Sequence, residues 1–115
     1  MEIRRGEIYW VDFDPTKGEK AKAGSEILKK RPAVVLTRNA FNKQRRTIVV
    51  VPLSSSPRAA PPLIVAVPSA GRNSVAVCDQ LTAVNKTTRI IRSIGKLAPE
   101  DLQAIEAAVR EVLAL

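Results

Sequence analysis

Apolar runs in this chain are short, as from Ile48 to Leu53, and helical apolar spacing appears only after Pro99. A run that short builds a strand and is far too short to span a membrane. Thr47–Leu53 is rich in β-branched residues and reads as the strongest strand. It is expected to end or bulge at Pro52, which has no N–H for a ladder bond. Glu7 to Phe13 alternates, with Tyr9, Val11 and Phe13 on one face and Ile8 and Trp10 on the other, so both faces should be covered. Pro32–Leu36, Leu63–Val67, Ser74–Cys78 and Arg89–Ile94 complete the set of short strands. Asp14-Pro15-Thr16-Lys17-Gly18, Pro68–Asn73 and Asn85-Lys86-Thr87 are turns by composition. Asn39 to Arg46 reads as a polar turn carrying Phe41, and Glu19 to Lys30 as a long basic loop.

After Pro99 the period changes. Leu102, Ile105, Val109, Val112 and Leu113 recur at helical spacing. Pro99 suits a first helical position, and Glu100 and Asp101 suit a helix N-terminus. At 115 residues the chain fits one domain, residues 1–115, with one core. Strands followed by a single helix make an α+β domain. Its simplest form is a small, partly open antiparallel barrel with a C-terminal amphipathic helix.

The residues that are missing narrow the chemistry. There is no histidine, which removes Ser-His-Asp and Cys-His catalysis and any zinc site that needs imidazole. The lone Cys78 lies in a strand-like run and reads as a buried structural thiol. Apart from Asp12/Asp14 and Glu100/Asp101 the carboxylates form no close cluster, so no two-metal site is visible. No metal and no cofactor are expected. Without a leader or a membrane span, the chain is expected to be cytoplasmic.

Charge is distributed unevenly. From Lys17 to Lys96 there are 16 Lys/Arg against Glu19, Glu26 and Asp79, a net of +13 within a chain whose total is +8. Beyond Pro99 the balance is acidic, a net of −3. A basic body points to a polyanionic partner, either nucleic acid or an acidic protein segment competing for the same surface.

One stretch concentrates this charge beside a strand. Gly24-Ser25-Glu26 leads through Lys29-Lys30-Arg31 into Pro32-Ala33-Val34-Val35-Leu36, and Pro32 bars Arg31 from the helical region. Together with Asp12-Phe13-Asp14-Pro15-Thr16-Lys17-Gly18, Val51-Pro52-Leu53-Ser54-Ser55 and Asp79-Gln80, it closely resembles the MazF/PemK family of bacterial toxins. The motifs keep their order from about Gly6 to the final helix.

The resemblance implies a compact SH3-like antiparallel β-barrel with a C-terminal helix, usually as a homodimer. It implies a sequence-specific endoribonuclease that cuts single-stranded RNA without a metal. The ribose 2′-hydroxyl attacks, leaving a 2′,3′-cyclic phosphate and a 5′-hydroxyl. A cognate MazE-like antitoxin would neutralise it through an acidic, extended segment. The family's catalytic arginine falls on Arg31, its acidic loop residue on Glu26 and its threonine on Ser54. Ser25, Ser55, Ser74, Asp79 and Gln80 fall where the family lines its RNA groove, and Lys17 and Phe41 are further RNA-binding candidates, Phe41 for stacking a base.

The physics of in-line attack needs proton removal, charge stabilisation and protonation of the leaving oxygen. Without histidine, Glu26 is the candidate base. Arg31, with a pKa above about 12, fits better as a clamp for the developing charge. Other roles stay open. Glu26 can pair with Lys29 or Lys30, Ser54 can cap a turn, Asp79 can pair with Arg89 or Arg92, and Phe41 can fold to the core. The chain departs from the family pattern between Gly18 and Gly24, where Glu19 to Ala23 and one glycine are extra. Two other classes remain: a gyrase-binding toxin like CcdB, and an RNA-binding barrel that cuts nothing.

Overall fold

The computed structural model describes residues 2–13 and 29–115. Strands β1 (Glu7–Asp12) and β2 (Lys30–Val35) precede a short helix, α1 (Asn39–Gln44). Strands β3 (Thr47–Ser54), β4 (Ile64–Ala66), β5 (Val75–Val77), β6 (Thr82–Asn85) and β7 (Ile90–Lys96) follow, and the chain closes with α2 (Pro99–Leu113). Two 3₁₀ turns, Pro68–Ala70 and Cys78–Gln80, bracket β5.

All pairings are antiparallel, and β3 is the strand that joins the sheet together. Its first half pairs β6, from Thr47↔Asn85 to Val50↔Thr82. Its other edge pairs β2 from Val35↔Val50 to Ala33↔Pro52. Its end pairs β5 through Leu53↔Ala76 and Ser54↔Val75. The strand therefore does not end at Pro52. It runs on to Ser54, and its pairing passes to β5 just beyond the proline.

The expected barrel does not form. The hydrogen-bonded order is β4-β5-β3-β2-β1-β7, with β6 on β3, and β4 and β7 at the two ends do not pair. Closure requires end strands long enough to pair at the proper tilt and stagger. β4 has only three residues and lies between Pro61-Pro62 and Pro68, none of which can donate a ladder bond. Helix α2 packs against β4 and the Cys78–Gln80 turn and covers that face of the sheet.

Alternation along the strands makes two cores, one on each side of the sheet. Ile8, Val34, Val51 and Leu53 pack with Ala76, Cys78, Ile105 and Ala108 under α2. Tyr9, Val11, Ala33, Val35, Ile48 and Val50 pack with Val84 and Ile90 on the other side, and Phe13 joins them. The face assignment read from β1 holds. Ile105 is fully buried, and burial of one such side chain stabilises the fold by roughly 1.5–3 kcal/mol.

Helix α2 is fastened at several points. Pro99 opens it and Ala114 ends it in the left-handed conformation. Arg5 Nη2 donates to Glu106 Oε2 at 2.5 Å. Gly6, at φ +87°, lets the backbone pass under the helix, since a Cβ there would lie 3.3 Å from Leu102 Cδ2. Helix α1 stands where a polar turn was expected. One helical turn has no period to read, and tertiary bonds hold it: Asn42 Nδ2 donates to Thr37 O at 2.8 Å, and Lys86 Nζ to Asn42 O at 2.6 Å. Among the described residues no helix is long and apolar enough to cross a membrane.

Candidate anion-binding site

Arg31 enters β2 opposite Val11, and Pro32 opposite Trp10. The residue two before it, Lys29, has φ +75°, a left-handed bend at which the chain turns into the strand. Phe13 N donates to Lys29 O at 2.9 Å, which carries the β1–β2 ladder one step past the strand ends. The Nε of Arg31 is buried and has no hydrogen-bond partner among the described residues. A buried polar group left without a partner costs roughly 1–3 kcal/mol. The guanidinium carries further N–H donors in a planar fork, a geometry that suits carboxylate or phosphate.

A pocket of about 220 Å³ opens beside it, lined by Ile8, Arg31, Pro32, Leu53, Ser54, Ser55, Ala70, Ser74 and Ile94. Among the described residues this lining joins three serines and one arginine to an apolar wall and includes no carboxylate. Each hydroxyl comes from a strand terminus. Ser54 ends β3, and its Oγ accepts the Ser56 N–H at 3.1 Å, so it caps a turn while lining the pocket. Ser74 leads into β5, with its N–H donated to Gly71 O and its carbonyl accepting from Val67, both at 3.0 Å. Gly71, at φ +151°, clears room for it, since a Cβ there would sit 2.8 Å from Ser74 Oγ.

The structure therefore brings together Arg31, Ser54, Ser55 and Ser74 from the residues singled out in the sequence. It does not bring in three others. Asp79 and Gln80 lie on the 3₁₀ turn after β5 and do not line the pocket. Asp79 is exposed, and no salt bridge holds it among the described residues. Phe41 is 48% exposed on α1, with the Arg38 guanidinium 5.8 Å from its ring centroid, so it neither folds into the core nor reaches the pocket. Glu26, Ser25 and Lys17 lie outside the described residues, as does most of the Glu19–Lys30 loop.

Sequence reasoning missed the apolar wall. Ile8 was readable from strand alternation, but Ala70 and Ile94 reach the pocket only through packing of the Pro68–Ala70 turn and of β7. Cys78 is buried, and burial pushes its thiol up to about 11, with the adjacent Asp79 carboxylate adding to the rise. Among the described residues no three His, Cys, Asp or Glu side chains come together to hold a metal.

An open antiparallel sheet backed by a C-terminal helix, with an arginine–serine pocket at the strand ends, defines a small α+β domain. Residues 4–113 match the family described as the PemK-like, MazF-like toxin of type II toxin–antitoxin systems, and the chain belongs to that family. It is 34% identical over 108 residues to the endoribonuclease toxin MazF of Escherichia coli, covering 94% of this chain and 91% of that protein. It is 30% identical over 117 residues to endoribonuclease MazF9 of Mycobacterium tuberculosis, covering 94% and 93%. Among solved structures, MazF of Deinococcus radiodurans superposes with a TM-score of 0.83 at 22% identity, covering 100% of this chain and 99% of that one. A MazE–MazF crystal structure from the same organism gives 0.75 at 20% identity, covering 100% and 99%.

Proposed function

We propose that this protein, an RNA-cleaving toxin of the MazF/PemK type neutralised by an antitoxin, cuts single-stranded RNA at a short sequence without a metal. The ribose 2′-hydroxyl loses its proton to Glu26 and its oxygen attacks the adjacent phosphorus. The bond from phosphorus to the 5′-oxygen breaks, that oxygen takes a proton from water, and the proton held by Glu26 passes to solvent. The products carry a 2′,3′-cyclic phosphate and a 5′-hydroxyl. Arg31 stabilises charge on the non-bridging oxygens and hydrogen-bonds the leaving oxygen. Ser54 holds a non-bridging oxygen or the 2′-hydroxyl, and Ser55 and Ser74 contact the neighbouring nucleotide.

The observation that carries this reading is the buried Nε of Arg31, without a hydrogen-bond partner among the described residues, at the wall of a pocket lined by three serines. A phosphodiester supplies the acceptors this set lacks. The antitoxin reading is supported by the net of +13 between Lys17 and Lys96, which suits an acidic extended segment. The family resemblance supports a homodimer.

The test is incubation of a long mixed-sequence RNA with the purified protein in excess chelator, followed by analysis of the ends. Cutting at one recurring sequence with cyclic-phosphate termini is the expected result. Arg31→Ala is expected to slow it by about 100- to 1,000-fold. Cleavage abolished by chelator would overturn the mechanism, and intact RNA would overturn the assignment of a nuclease.

A further inference from the structure

The residues around α1 form a second surface that the pocket chemistry does not use. Between Arg38 and Arg46 the chain carries Arg38, Lys43, Arg45 and Arg46 and no acid, and all four cations are exposed. Lys86 joins them from the end of β6. Its Nζ donates to Asn42 O at 2.6 Å and Lys43 O at 3.1 Å, so a fifth cation is fixed at the C-terminal end of the helix. Phe41, 48% exposed, stands among these charges with Arg38 against its ring. Two nearby carboxylates are already engaged, Glu2 with Arg4 at 3.2 Å and Glu106 with Arg5 at 2.5 Å.

We propose that this surface, built from Arg38, Phe41, Lys43, Arg45, Arg46 and Lys86, is an exosite that holds single-stranded RNA away from the cleavage pocket. This rests on the ribonuclease reading. The pocket, about 220 Å³, has room for little more than one nucleotide, so the rest of the strand must cross the protein surface. Strand β3 connects the two places, with Ser54 at the pocket and Thr47 beside Arg46. Its eight residues span roughly 26 Å, a distance of several nucleotides.

The chemistry favours RNA over the other occupants. Clustered cations hold phosphates, and an exposed ring beside an arginine stacks a base without reading its sequence. A second copy meeting this face across a two-fold axis would set like charges against each other.

The test compares two substrates. One is an oligonucleotide just long enough to be cut, and the other is the same site with single-stranded flanks. The variants are Phe41→Ala and the double change Arg45→Ala/Arg46→Ala, all at exposed positions, with thermal melts as the control for folding. Turnover of the short substrate is expected to be unchanged. KM for the flanked substrate is expected to rise about tenfold in Phe41→Ala, the loss of one stacked base. The double variant is expected to flatten the salt dependence of binding by about 0.7 log units per phosphate contact removed. Equal losses on both substrates, or none on the flanked one, would overturn the exosite. So would a loss of affinity for an acidic antitoxin segment with the RNA values intact, which would assign the surface to protein. Direct binding of the flanked RNA separates the two readings. If wild type binds it but cuts neither substrate, and the variants bind it weakly, the exosite stands and the nuclease reading falls.

Discussion

Asp101 accepts two hydrogen bonds from Ser69, one from its backbone N–H at 2.8 Å and a shorter one from its hydroxyl. The same hydroxyl oxygen accepts the Ala98 N–H at 3.0 Å. This ties the Pro68–Ala70 turn to the first turn of α2, where a carboxylate is favoured by the exposed N–H groups. The turn carries Ala70 to the pocket wall, and Ser74 follows it. Asp101→Asn and Ser69→Ala are each expected to destabilise the fold by about 1.5–3 kcal/mol, as loss of hydrogen bonds to a charged group does. Urea melts measure that loss. If the clasp also places the pocket wall, KM rises in both variants while kcat falls less.

Gly71 makes a related case with a sharper control. Gly71→Ala puts a methyl 2.8 Å from Ser74 Oγ at a φ that alanine tolerates poorly, and about 1 kcal/mol or more of stability should be lost. RNA cleavage is expected to fall with it. In a Ser74→Ala background the oxygen is gone, so the second substitution should cost less than it does alone. A double-mutant cycle on stability and rate reads that coupling. Strict additivity would mean that the glycine acts through its backbone only.

Arg31 is expected to reveal a conflict between stability and activity. Its Nε is buried with no partner among the described residues, so Arg31→Met should raise the melting temperature while cleavage disappears. Arg31→Lys keeps the charge but loses the planar fork. It is expected to remain about 100-fold slow or worse. Melts and single-turnover rates of the two variants, side by side, test the pair of claims.

Alkaline pH should unfold this protein earlier than its neutral stability suggests. Burial pushes the Cys78 thiol up to about 11. Burial, with the Glu7 carboxylate accepting its hydroxyl at 2.8 Å, pushes the Tyr9 phenol up to about 12. Both are acids held neutral in the fold. The unfolded chain ionises them at their ordinary values, 9.0 and 10.0, so stability is intact below pH 9 and declines as pH rises through 11 and 12. The slope is at most about 1.4 kcal/mol per pH unit for each group. Cys78→Ala should lower stability at neutral pH but flatten the decline between pH 9 and 11, as denaturant midpoints across that range will show.

The sequence carried the local physics of this fold well. Period-two alternation assigned the faces of β1, and the Arg31-Pro32 junction marked the strand entrance where the buried Arg31 Nε has no partner among the described residues. What it did not carry was long-range geometry. Whether a sheet closes depends on its two end strands, and β4 proved too short and too proline-bound to reach β7. Helix α1 depends on Asn42 and Lys86 meeting carbonyls brought from elsewhere. Phe41, Asp79 and Gln80 are polar or exposed residues near strand ends. Nothing in their spacing tells which end of β3 they will occupy.

The alternation of β3 has an evolutionary side. Ile48 and Val50 point into the layer away from α2, whereas Val51 and Leu53 point into the layer that backs the pocket. Drift on the first side acts on stability, and reaches the pocket through Arg31, which shares the strand face of Ala33 and Val35. Drift on the second changes the pocket wall at the same time. A lineage of such proteins has more room to change its stability through the half of the interior that forms no wall of the pocket.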